Sequence, residues 1–446
     1  MSSYFSDHIT GLLERYQRVF EQSAEQGFPL EYLLIHSGTE QCYFADDQAI
    51  SFRAFGHFSH WLPVTRPNQM LLISPANKPV YFQVIPADYW YDQTIENARW
   101  WCDEFEIVTL TESGQVKRTL RELPTGLENL SFLGDNKEFA ESLGVAAKHI
   151  NPPHLLHALD YYRAYKSSYE IEQIAAANKL ALKGHIAAEH CFENGGSEFD
   201  VHTEYLSACN ILEEQCPYTN IVAINEKSAI LHYQHKRQFL SHNNTAKNLV
   251  LLIDAGCKIN NYCSDITRTS LHPDTHSTFQ SLHSAMDSLQ LSLVNQVQPG
   301  LSYVDFHHRA LKLLAQVLID HDIVTCQLDK SLELSIPSLF MPHGIGHLLG
   351  IQVHDVGGHS SDPHGSRCPP PSAFPYLRNT RTMEKSMVFT VEPGLYFVPL
   401  LLEKHRSSPM AEHLNWKLIE ELTPLGGIRI EDNVRVTRSG VENLTR

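Results

Sequence analysis

The chain has 446 residues, of which 42% are hydrophobic and 19% are charged, and its formal net charge is −16. These values are typical of a compact globular protein and exclude a largely disordered one. No window approaches 18 uninterrupted apolar residues, which argues against a membrane span. An acidic chain also lacks the clustered Lys and Arg that nucleic-acid binding requires.

Cysteine usage points to a reducing compartment. The nine cysteines are odd in number and form no CxxC pair, as expected for free thiols rather than a disulfide framework. The opening stretch MSSYFSDHITGLLERYQ has no basic segment followed by an apolar one, so no secretory signal is predicted. Together these features predict a cytoplasmic protein.

The first third of the chain is predicted to be an α/β domain. An amphipathic helix is expected around Ile9–Gln22. Apolar runs of strand length follow, separated by turn or helical segments, at residues 32–38, 69–75, 79–85, 105–110 and 130–135. The stretch NPPHLLHALD reads as a connection, which places the first domain at residues 1–160.

From Ser167 the pattern changes to long helices followed by strands. Ser167 and Glu170 have the spacing of a capping box at the start of a long helix, which is expected to end at Gly195-Gly196. A second helix is expected from Ser197 to Glu214. Strands are then expected at residues 220–224, 229–233, 248–256 and 261–270.

The same order recurs further along the chain. Helices are expected at 277–297 and 302–320, with strands after them. This recurrence indicates an internal duplication of a helix pair plus a sheet, with ligands from both halves around one shared cleft. We therefore predict a second domain at residues 161–446.

Two aspartates lie in segments that otherwise read as buried strands. Asp254 lies in LLIDAG and Asp265 in YCSDITRT. The segments are expected to pair as an antiparallel hairpin, which would bring both carboxylates to one place. An ionised carboxylate in such a strand is costly unless a cation or a hydrogen-bond donor compensates it. The alternative is that each is a satisfied aspartate at a strand end or turn.

Two glutamates have the same context, Glu392 in FTVEPGLYF and Glu431 in IRIEDNV. Four such carboxylates make the turn explanation weaker, and two divalent metal ions would balance their charges. The stretch PHGIGHLLGIQVHD adds His343, His347 and His354, of which one is enough to complete a dimetal site. This stretch is not an HExxH zinc helix, because it has glycines and lacks the glutamate base. Four carboxylates and one imidazole form a mostly hard donor set that favours Mn²⁺, with Co²⁺ or Zn²⁺ as the other candidates.

These residues and their flanks resemble the pita-bread metallopeptidases. The motifs IDAG, SDITRT, HGIGHLLG, VEPG and IRIEDN are similar to those that carry the family's five metal ligands, here Asp254, Asp265, His347, Glu392 and Glu431. The stretches YTNIVAINEKSAILHY, MPHGIGHLLGIQVHDVGG and PYLRNTR look most like the bacterial prolidase branch, which contains Xaa-Pro dipeptidases and organophosphorus acid anhydrolases. The resemblance covers the whole chain. It implies a creatinase-like α/β first domain followed by a pita-bread domain with a curved antiparallel sheet.

The resemblance implies a role for each matched ligand. Asp254 would bind one metal ion, and Asp265 and Glu431 would bridge both. His347 and Glu392 would complete the coordination of the second ion. Glu392 would also move the proton of the attacking water.

Further positions match residues on the substrate side of the family's site. His232 and His354 would contact the scissile carbonyl, and Arg378 would bind the carboxylate of the product proline. Arg429 matches a second substrate-side arginine, although it could instead hold a metal ligand by ion pairing.

Two matched positions keep a structural alternative. Tyr218 would line the pocket, or else pack in the core. His343 would lie beside the metals on the substrate side, with a structural hydrogen-bonding role as the alternative.

The activity that the resemblance implies is hydrolysis of Xaa-Pro dipeptides, with organophosphate esters and fluorides as side substrates. The motif FRAFGHFSHWLP offers the aromatic residues Phe55, Phe58 and Trp61 in the first domain. The resemblance implies that this domain leans over the partner subunit's cleft in a homodimer, with a surface loop as the alternative for the motif. Segment 234–248 is expected to be a longer surface hairpin than in relatives. A pita-bread binding protein without catalysis is the alternative function, but such relatives have lost metal ligands, and all five are present here.

Overall fold

The structure is a computed structural model that describes residues 2–75, 77–238 and 247–446. The chain divides into two compact units. The first contains Met1–Arg163, Ser167–Glu170 and Ser360–Arg367, and the second contains Ala164–Lys166, Ile171–His359 and Cys368–Arg446. In the described part of the chain, none of the helices has both the length and the apolar character needed to cross a bilayer. Most of the hairpin expected at 234–248 falls at residues 239–246, outside the described residues.

The first unit is an α/β unit with one mixed sheet of order β4-β3-β2-β1-β5. Its strands are β1 (Tyr32–His36), β2 (Met70–Ile73), β3 (Val80–Val84), β4 (Glu106–Leu110) and β5 (Leu130–Leu133). Its helices are α1 (Ser2–Glu25), α2 (Gly56–Ser59), α3 (Arg99–Cys102), α4 (Val116–Arg121), α5 (Lys137–Leu143) and α6 (Pro153–Arg163). Strand β1 pairs antiparallel with β2 and parallel with β5. The five strands expected from the apolar runs are confirmed, and the opening helix is longer than expected.

The aromatic motif of the first unit belongs to its core. Phe58 and Trp61 are buried, and the Trp61 ring packs edge-on against Tyr16 of α1 at a centroid distance of 4.9 Å. Rings already packed inside their own unit are not available to a partner subunit. The surface-loop alternative is therefore wrong for Phe58 and Trp61, because burial of these large apolar side chains drives folding of the unit itself.

The second unit combines helices with short antiparallel sheets. Its helices are α7 (Ser168–Glu193), α8 (Glu198–Cys209), α9 (Ser277–Val294), α10 (Tyr303–Asp320), α11 (Leu328–Glu333), α12 (Ile336–Phe340), α13 (Pro399–Lys404) and α14 (Trp416–Leu422). Its strands are β6 (Ile221–Ile224), β7 (Val250–Ala255), β8 (Lys258–Ile259), β9 (Tyr262–Cys263), β10 (Ile266–Leu271), β11 (Val388–Val391), β12 (Gly394–Tyr396), β13 (Gly427–Arg429), β14 (Asp432–Val436) and β15 (Val441–Asn443). The capping box at Ser167 and Glu170 is confirmed, with reciprocal hydrogen bonds of 2.8 and 3.3 Å.

Strand register brings the candidate ligands together. Strand β7 pairs with β6 and with β10, and Thr267 lies directly opposite Asp254. An isolated bridge joins Thr267 to Glu431, which lies between β13 and β14. Strand β11, which ends one residue before Glu392, pairs with β14 and also bridges to Leu348, next to His347. The hairpin expected to join the Asp254 and Asp265 segments is therefore confirmed.

Three expected elements differ in the structure. Residues 229–233 are not a strand, because Asn225–Ala229 is a 3₁₀ helix and a turn follows it. The strand expected at 261–270 is interrupted between β9 and β10, and the helix expected to reach Glu214 ends at Cys209. That helix stops where Asn210 adopts a left-handed conformation, with φ of 53°, which ends helices commonly.

Candidate metal centre and catalytic cleft

The five candidate ligands line one cavity of the second unit. The cavity has a volume of about 310 Å³, and its wall contains Asp254, Asp265, His347, Glu392 and Glu431. Other parts of the wall come from His232, His343, His354, Arg378 and Arg429. Tyr218 is the one predicted site residue outside the described cavity wall. Residues spread over some 200 positions of sequence thus meet in one place.

Three of these residues form the tightest group. Donor atoms of Asp265, His347 and Glu431 all lie within 4.8 Å of one another, and all three side chains are buried. The Nε2 atom of His347 is 3.3 Å from Asp265 Oδ2 and 3.6 Å from Glu392 Oε1. These separations place the His347 imidazole close enough to both carboxylates for all three to surround one cation.

The hydrogen bonding of His347 fits a metal ligand. Its Nδ1 atom lies 3.0 Å from the carbonyl oxygen of Leu348, and a carbonyl oxygen can only accept, so Nδ1 carries the proton. In neutral imidazole the Nε2 lone pair then faces the Asp265 carboxylate. Two acceptors facing each other need a proton or a metal ion between them. A backbone carbonyl that fixes the tautomer in this way is the usual support of a metal-binding histidine.

Tyr218 contacts the centre through its hydroxyl group. This oxygen lies 2.7 Å from Asp254 Oδ1 and 2.5 Å from Asp265 Oδ1. Burial raises the pKa of Tyr218 well above its usual value, and the charges of the two aspartates raise it further. Tyr218 therefore stays protonated, and its single hydroxyl proton is donated to one aspartate at a time while the oxygen lies within hydrogen-bond distance of both. It is neither an apolar core residue nor part of the cavity wall.

Polar side chains that the sequence did not single out hold the ligands in place. Thr267 donates a 2.6 Å hydrogen bond to Glu431 Oε2, and Thr390 donates to Glu392 Oε1 at 3.2 Å while accepting from the backbone N–H of His347. Asn433 bonds both the backbone N–H and the carbonyl of Asp265. Each lies within two residues of a candidate ligand in a strand or beside one. A polar residue two positions from an acid in an otherwise apolar strand is the sequence signal that could have identified these three supporting residues.

The acidic side chains of the cavity carry more negative charge than the protein alone can balance. Burial raises the pKa of Glu392 to about 7 and that of Glu431 well above its usual value, and burial likewise raises the pKa of Asp254. Burial also opposes ionisation of Asp265, but the hydrogen bond and charge of His347 outweigh it, so its pKa is lowered. A site that resists ionisation of three carboxyl groups fits divalent cations, which would replace the protons.

Arg429 is directed at a candidate ligand. Its guanidinium lies 2.5 Å from Asp254 Oδ2, and its Nε donates to Thr267 at 3.1 Å. It also donates to the hydroxyl of Tyr396, which is 3.0 Å from His343 Nε2. The Arg429 side chain is buried. This geometry favours the ion-pairing alternative over a contact with substrate.

The residues on the open side of the cleft are exposed. His232, His354 and Arg378 all retain solvent-accessible side chains at the cavity wall. The ring of His354 packs edge-on against His347, with centroids 4.3 Å apart. Desolvation of the part of its ring that packs against the cleft wall, together with the neighbouring His347, lowers the pKa of His354 to about 3, so it is a neutral imidazole at physiological pH. These three side chains are placed to contact a ligand in the cavity.

A buried carboxylate organises the segment that carries His232. Glu198 accepts hydrogen bonds from the backbone N–H groups of Ile224 and Arg237, from the Tyr233 hydroxyl and from the Arg237 guanidinium, at 2.7 to 3.0 Å. These bonds fix a segment without regular structure on both sides of His232. No local pattern indicates this role, because in the sequence Glu198 is only an acid in the first turn of a helix.

Gly346 is required by close packing beside His347. A Cβ atom at this position would overlap with the Thr390 carbonyl oxygen and the Tyr303 hydroxyl. We expect Gly346→Ala to destabilise the protein by about 1–3 kcal/mol and to weaken metal binding. Calorimetric melting with and without Mn²⁺ checks this, with Gly440→Ala as control, because a Cβ there meets no atom within 4 Å. Equal melting temperatures for the two variants would contradict it.

Comparison with known proteins assigns the family. Residues 172–438, more than half of the chain, match the sequence profile of metallopeptidase family M24. The chain belongs to this family. Residues 3–161 match the profile of the Xaa-Pro dipeptidase N-terminal domain. The family expected from the five motifs is therefore confirmed.

Similar proteins extend over both units of the M24 chain. Proteins named Xaa-Pro dipeptidase from Salmonella arizonae and Salmonella newport are each 40% identical over 448 residues, which covers 100% of this chain and 98% of the relative. Escherichia coli aminopeptidase P with the inhibitor Pro-Leu matches with a TM-score of 0.72 at 22% identity, covering 97% of this chain and 94% of that chain. Proline aminopeptidase P II from Yersinia pestis matches with a TM-score of 0.69 at 21% identity, covering 97% and 96%. These structures show the fold, and the fold class expected from the sequence is confirmed.

Proposed function

We propose that this M24 protein is a dinuclear-metal hydrolase that cleaves Xaa-Pro dipeptides to a free amino acid and proline. The observation that carries the proposal is the convergence of four carboxylates and one imidazole on one cavity. The 40% identity to proteins named Xaa-Pro dipeptidase supports this substrate class. As further parts of the proposal, the domains meet near residue 160 and the enzyme is a cytoplasmic homodimer.

Two divalent ions per subunit suit the donor set, with Mn²⁺ favoured over Co²⁺ and Zn²⁺ because most donors are hard oxygens. Asp254 would hold one ion, Asp265 and Glu431 both, and His347 and Glu392 the other. When bound, the ions would supply Lewis acidity and lower the pKa of a water molecule. Arg429 and Tyr218 would hold the aspartates in position.

Protein groups carry out the proton transfers of the proposed reaction. Glu392 accepts a proton from the attacking water and passes it to the leaving proline nitrogen. His354 and His232 donate hydrogen bonds to the carbonyl oxygen as negative charge develops there. The peptide bond before proline has no N–H group that an enzyme could bind by a hydrogen bond. In this proposal the enzyme binds the carbonyl of that bond instead. His343 supports the site through Tyr396.

Arg378 is proposed to bind the carboxylate of the substrate's proline. Loss of a charge-assisted bond to that carboxylate costs about 1.5–3 kcal/mol. We therefore expect Arg378→Ala to raise KM for Leu-Pro by about 10- to 100-fold and to change kcat much less. Steady-state kinetics measure this, with the exposed Arg438→Ala as matched control. If the wild type bound Leu-Pro and its C-terminal amide equally well, Arg378 would not bind the substrate's carboxylate.

One experiment tests the proposed function as a whole. Chelated enzyme is assayed on Gly-Pro, Leu-Pro and Leu-Ala after addition of Mn²⁺, Co²⁺ or Zn²⁺. We expect cleavage of the two proline dipeptides only, restored by metal and greatest with Mn²⁺. Absence of cleavage with every metal would overturn the proposal and leave the non-catalytic binding protein as the better account.

Organophosphate esters and fluorides are proposed as side substrates. Their tetrahedral phosphorus resembles the tetrahedral state of peptide hydrolysis, and a cavity of about 310 Å³ is open enough to admit small esters. The check is hydrolysis of a p-nitrophenyl phosphotriester by the Mn²⁺-loaded enzyme. Wild-type activity on this ester in a Glu392→Gln variant would show that a contaminant, and not this site, is responsible.

A further inference from the structure

The second unit contains an ion pair shut off from solvent. Lys166 Nζ lies 2.8 Å from Asp355 Oδ2, and both side chains are 0% exposed. Charges taken out of water in this way are tolerated only with good geometry, and removal of one partner of such a pair is strongly destabilising. The pair is therefore a fixed point in the structure.

Both partners are attached to segments that carry candidate ligands. The backbone N–H of Lys166 donates to the carbonyl of Ser386, and Tyr165 bridges to Met387, immediately before β11. The backbone N–H of Asp355 donates to the carbonyl of Leu348 at 2.9 Å, next to His347. The ion pair thus ties the approach to β11 to the segment that follows His347.

His354 directly precedes Asp355 in a segment that regular structure does not support. Residues 351–359, which the structure describes throughout, form neither helix nor strand. No ladder of backbone hydrogen bonds sets the direction of the His354 ring. The ring is held by its edge-on contact with His347 and by the fixed position of the adjacent Asp355. The ion pair is tightly packed against the backbone of Gly350. A Cβ atom on Gly350 would overlap the Asp355 carboxylate and would lie 2.8 Å from Lys166 Cε.

We propose that Lys166 is a positioning residue that acts through Asp355 to aim the His354 imidazole into the cleft. The proposal rests on the proposed function, in which His354 donates to the substrate carbonyl. Lys166 is buried and does not line the described cavity wall, so it contacts no substrate itself. Its effect on the rate passes through the segment that carries His354.

A double-mutant cycle on kcat tests whether Lys166 acts through His354, because the effects of the two substitutions would then not be additive. Lys166→Met is expected to lower kcat on Leu-Pro about 10²-fold, as for a misplaced catalytic group, with KM within about twofold and metal content unchanged. In the His354→Ala background the same substitution should lower kcat by less than about twofold, because the group it positions is gone. Equal factors in the two backgrounds would overturn the proposal.

Two further variants separate positioning from charge imbalance. Lys166→Arg keeps the charge and should retain most of kcat. The double variant Lys166→Met, Asp355→Leu removes both charges and is expected to fold, since apolar replacement of a buried pair is often neutral, yet kcat should stay low. A double variant with wild-type kcat would show that Lys166 serves only to neutralise Asp355, and positioning would be disproved.

A readout independent of activity keeps the test separate from the proposed function. Amide hydrogen exchange followed by mass spectrometry should be faster across 349–359 in Lys166→Met than in wild type. Lys330→Met is the control, because Lys330 forms an exposed pair with Glu333. Unchanged exchange across 349–359 would overturn the ion-pair argument. If wild type cleaves no Xaa-Pro dipeptide, the proposed function fails, and the exchange result still decides whether Lys166 fixes this segment.

Discussion

Replacing Glu431 by glutamine should abolish Xaa-Pro hydrolysis and at the same time stabilise the metal-free protein. Glutamine has the same shape but cannot serve as the charged bridge proposed between two metal ions. Metal ions contribute several kcal/mol of transition-state stabilisation. At 1.36 kcal/mol per tenfold change in rate, kcat/KM is expected to fall by at least about 10³-fold.

The stabilising effect follows from the surroundings of Glu431. Burial raises its pKa well above the usual value, and the charges of Asp265 and Glu392 raise it further. At pH 8, each pKa unit of this shift destabilises the metal-free fold by about 1.4 kcal/mol. The cost stops growing once the shifted pKa exceeds the pH, because the carboxyl group is then protonated. Glutamine removes that cost, and its amide oxygen can still accept the hydrogen bond from Thr267.

Both effects can be measured on one preparation. Thermal unfolding of the chelated variant and wild type at pH 8 gives the stability difference, and metal analysis and Leu-Pro hydrolysis after Mn²⁺ addition give the functional one. Glu412→Gln is the matched control, because Glu412 is an exposed glutamate. A Glu431→Gln protein that kept wild-type activity, or that melted at a lower temperature than wild type without metal, would contradict the proposed centre.

The candidate ligands could be predicted from the sequence because their signals are local. Asp254 lies near the end of the apolar strand β7 and Glu392 directly follows the apolar strand β11. An acid in such a context is conspicuous whatever the distant contacts are. Short apolar runs likewise predicted the strands of the first unit. The register of β7 against β10 then follows from alternation and strand length, which is why the hairpin was predictable.

Other features depend on contacts that no local pattern encodes. Lys166 and Asp355 are 189 positions apart, and neither has a sequence context that indicates its partner. Residues 229–233 have the apolar character of a strand, but Asn225, at φ of 54°, accepts from the backbone N–H groups of Leu249 and Val250 and so turns the chain before a strand can continue. A side-chain acceptor of this kind overrides the apolar pattern.

The second large expected effect is a pH-dependent loss of stability when metal is removed. The difference in melting temperature between Mn²⁺-loaded and chelated protein should widen as pH rises from 5.5 to 8. In the chelated protein Glu392, with a pKa of about 7, and Glu431 are protonated at pH 5.5. In the unfolded chain both carboxyls are already ionised there, so the native state binds more protons and loses stability as pH rises, by about 1.4 kcal/mol per pH unit for each coupled proton.

Buried histidines change the stability with pH in the opposite direction to the two glutamates, and their contribution can be distinguished from that of the metal site. Burial lowers the pKa of His60 and His185 from 6.5 to about 3 in the folded protein. As the pH falls below about 6.5, these histidines therefore become protonated in the unfolded chain while they remain neutral in the folded protein. Their contribution to stability rises with pH up to about 6.5 and is constant above it. Because it is the same with and without metal, it cancels in the difference between the two melting curves.

The Glu431→Gln variant provides the decisive comparison for this pH dependence. With one proton-binding carboxyl removed, the chelated variant should lose less stability between pH 5.5 and 8 than the chelated wild type, while the exposed control Glu412→Gln should behave as wild type. Calorimetry at half-unit pH intervals gives all three curves. A wild-type difference between loaded and chelated protein that does not change with pH would mean that metal ions do not replace protons in this cavity. In that case the raised pKa values of Glu392 and Glu431 would no longer support the assignment of the ligands.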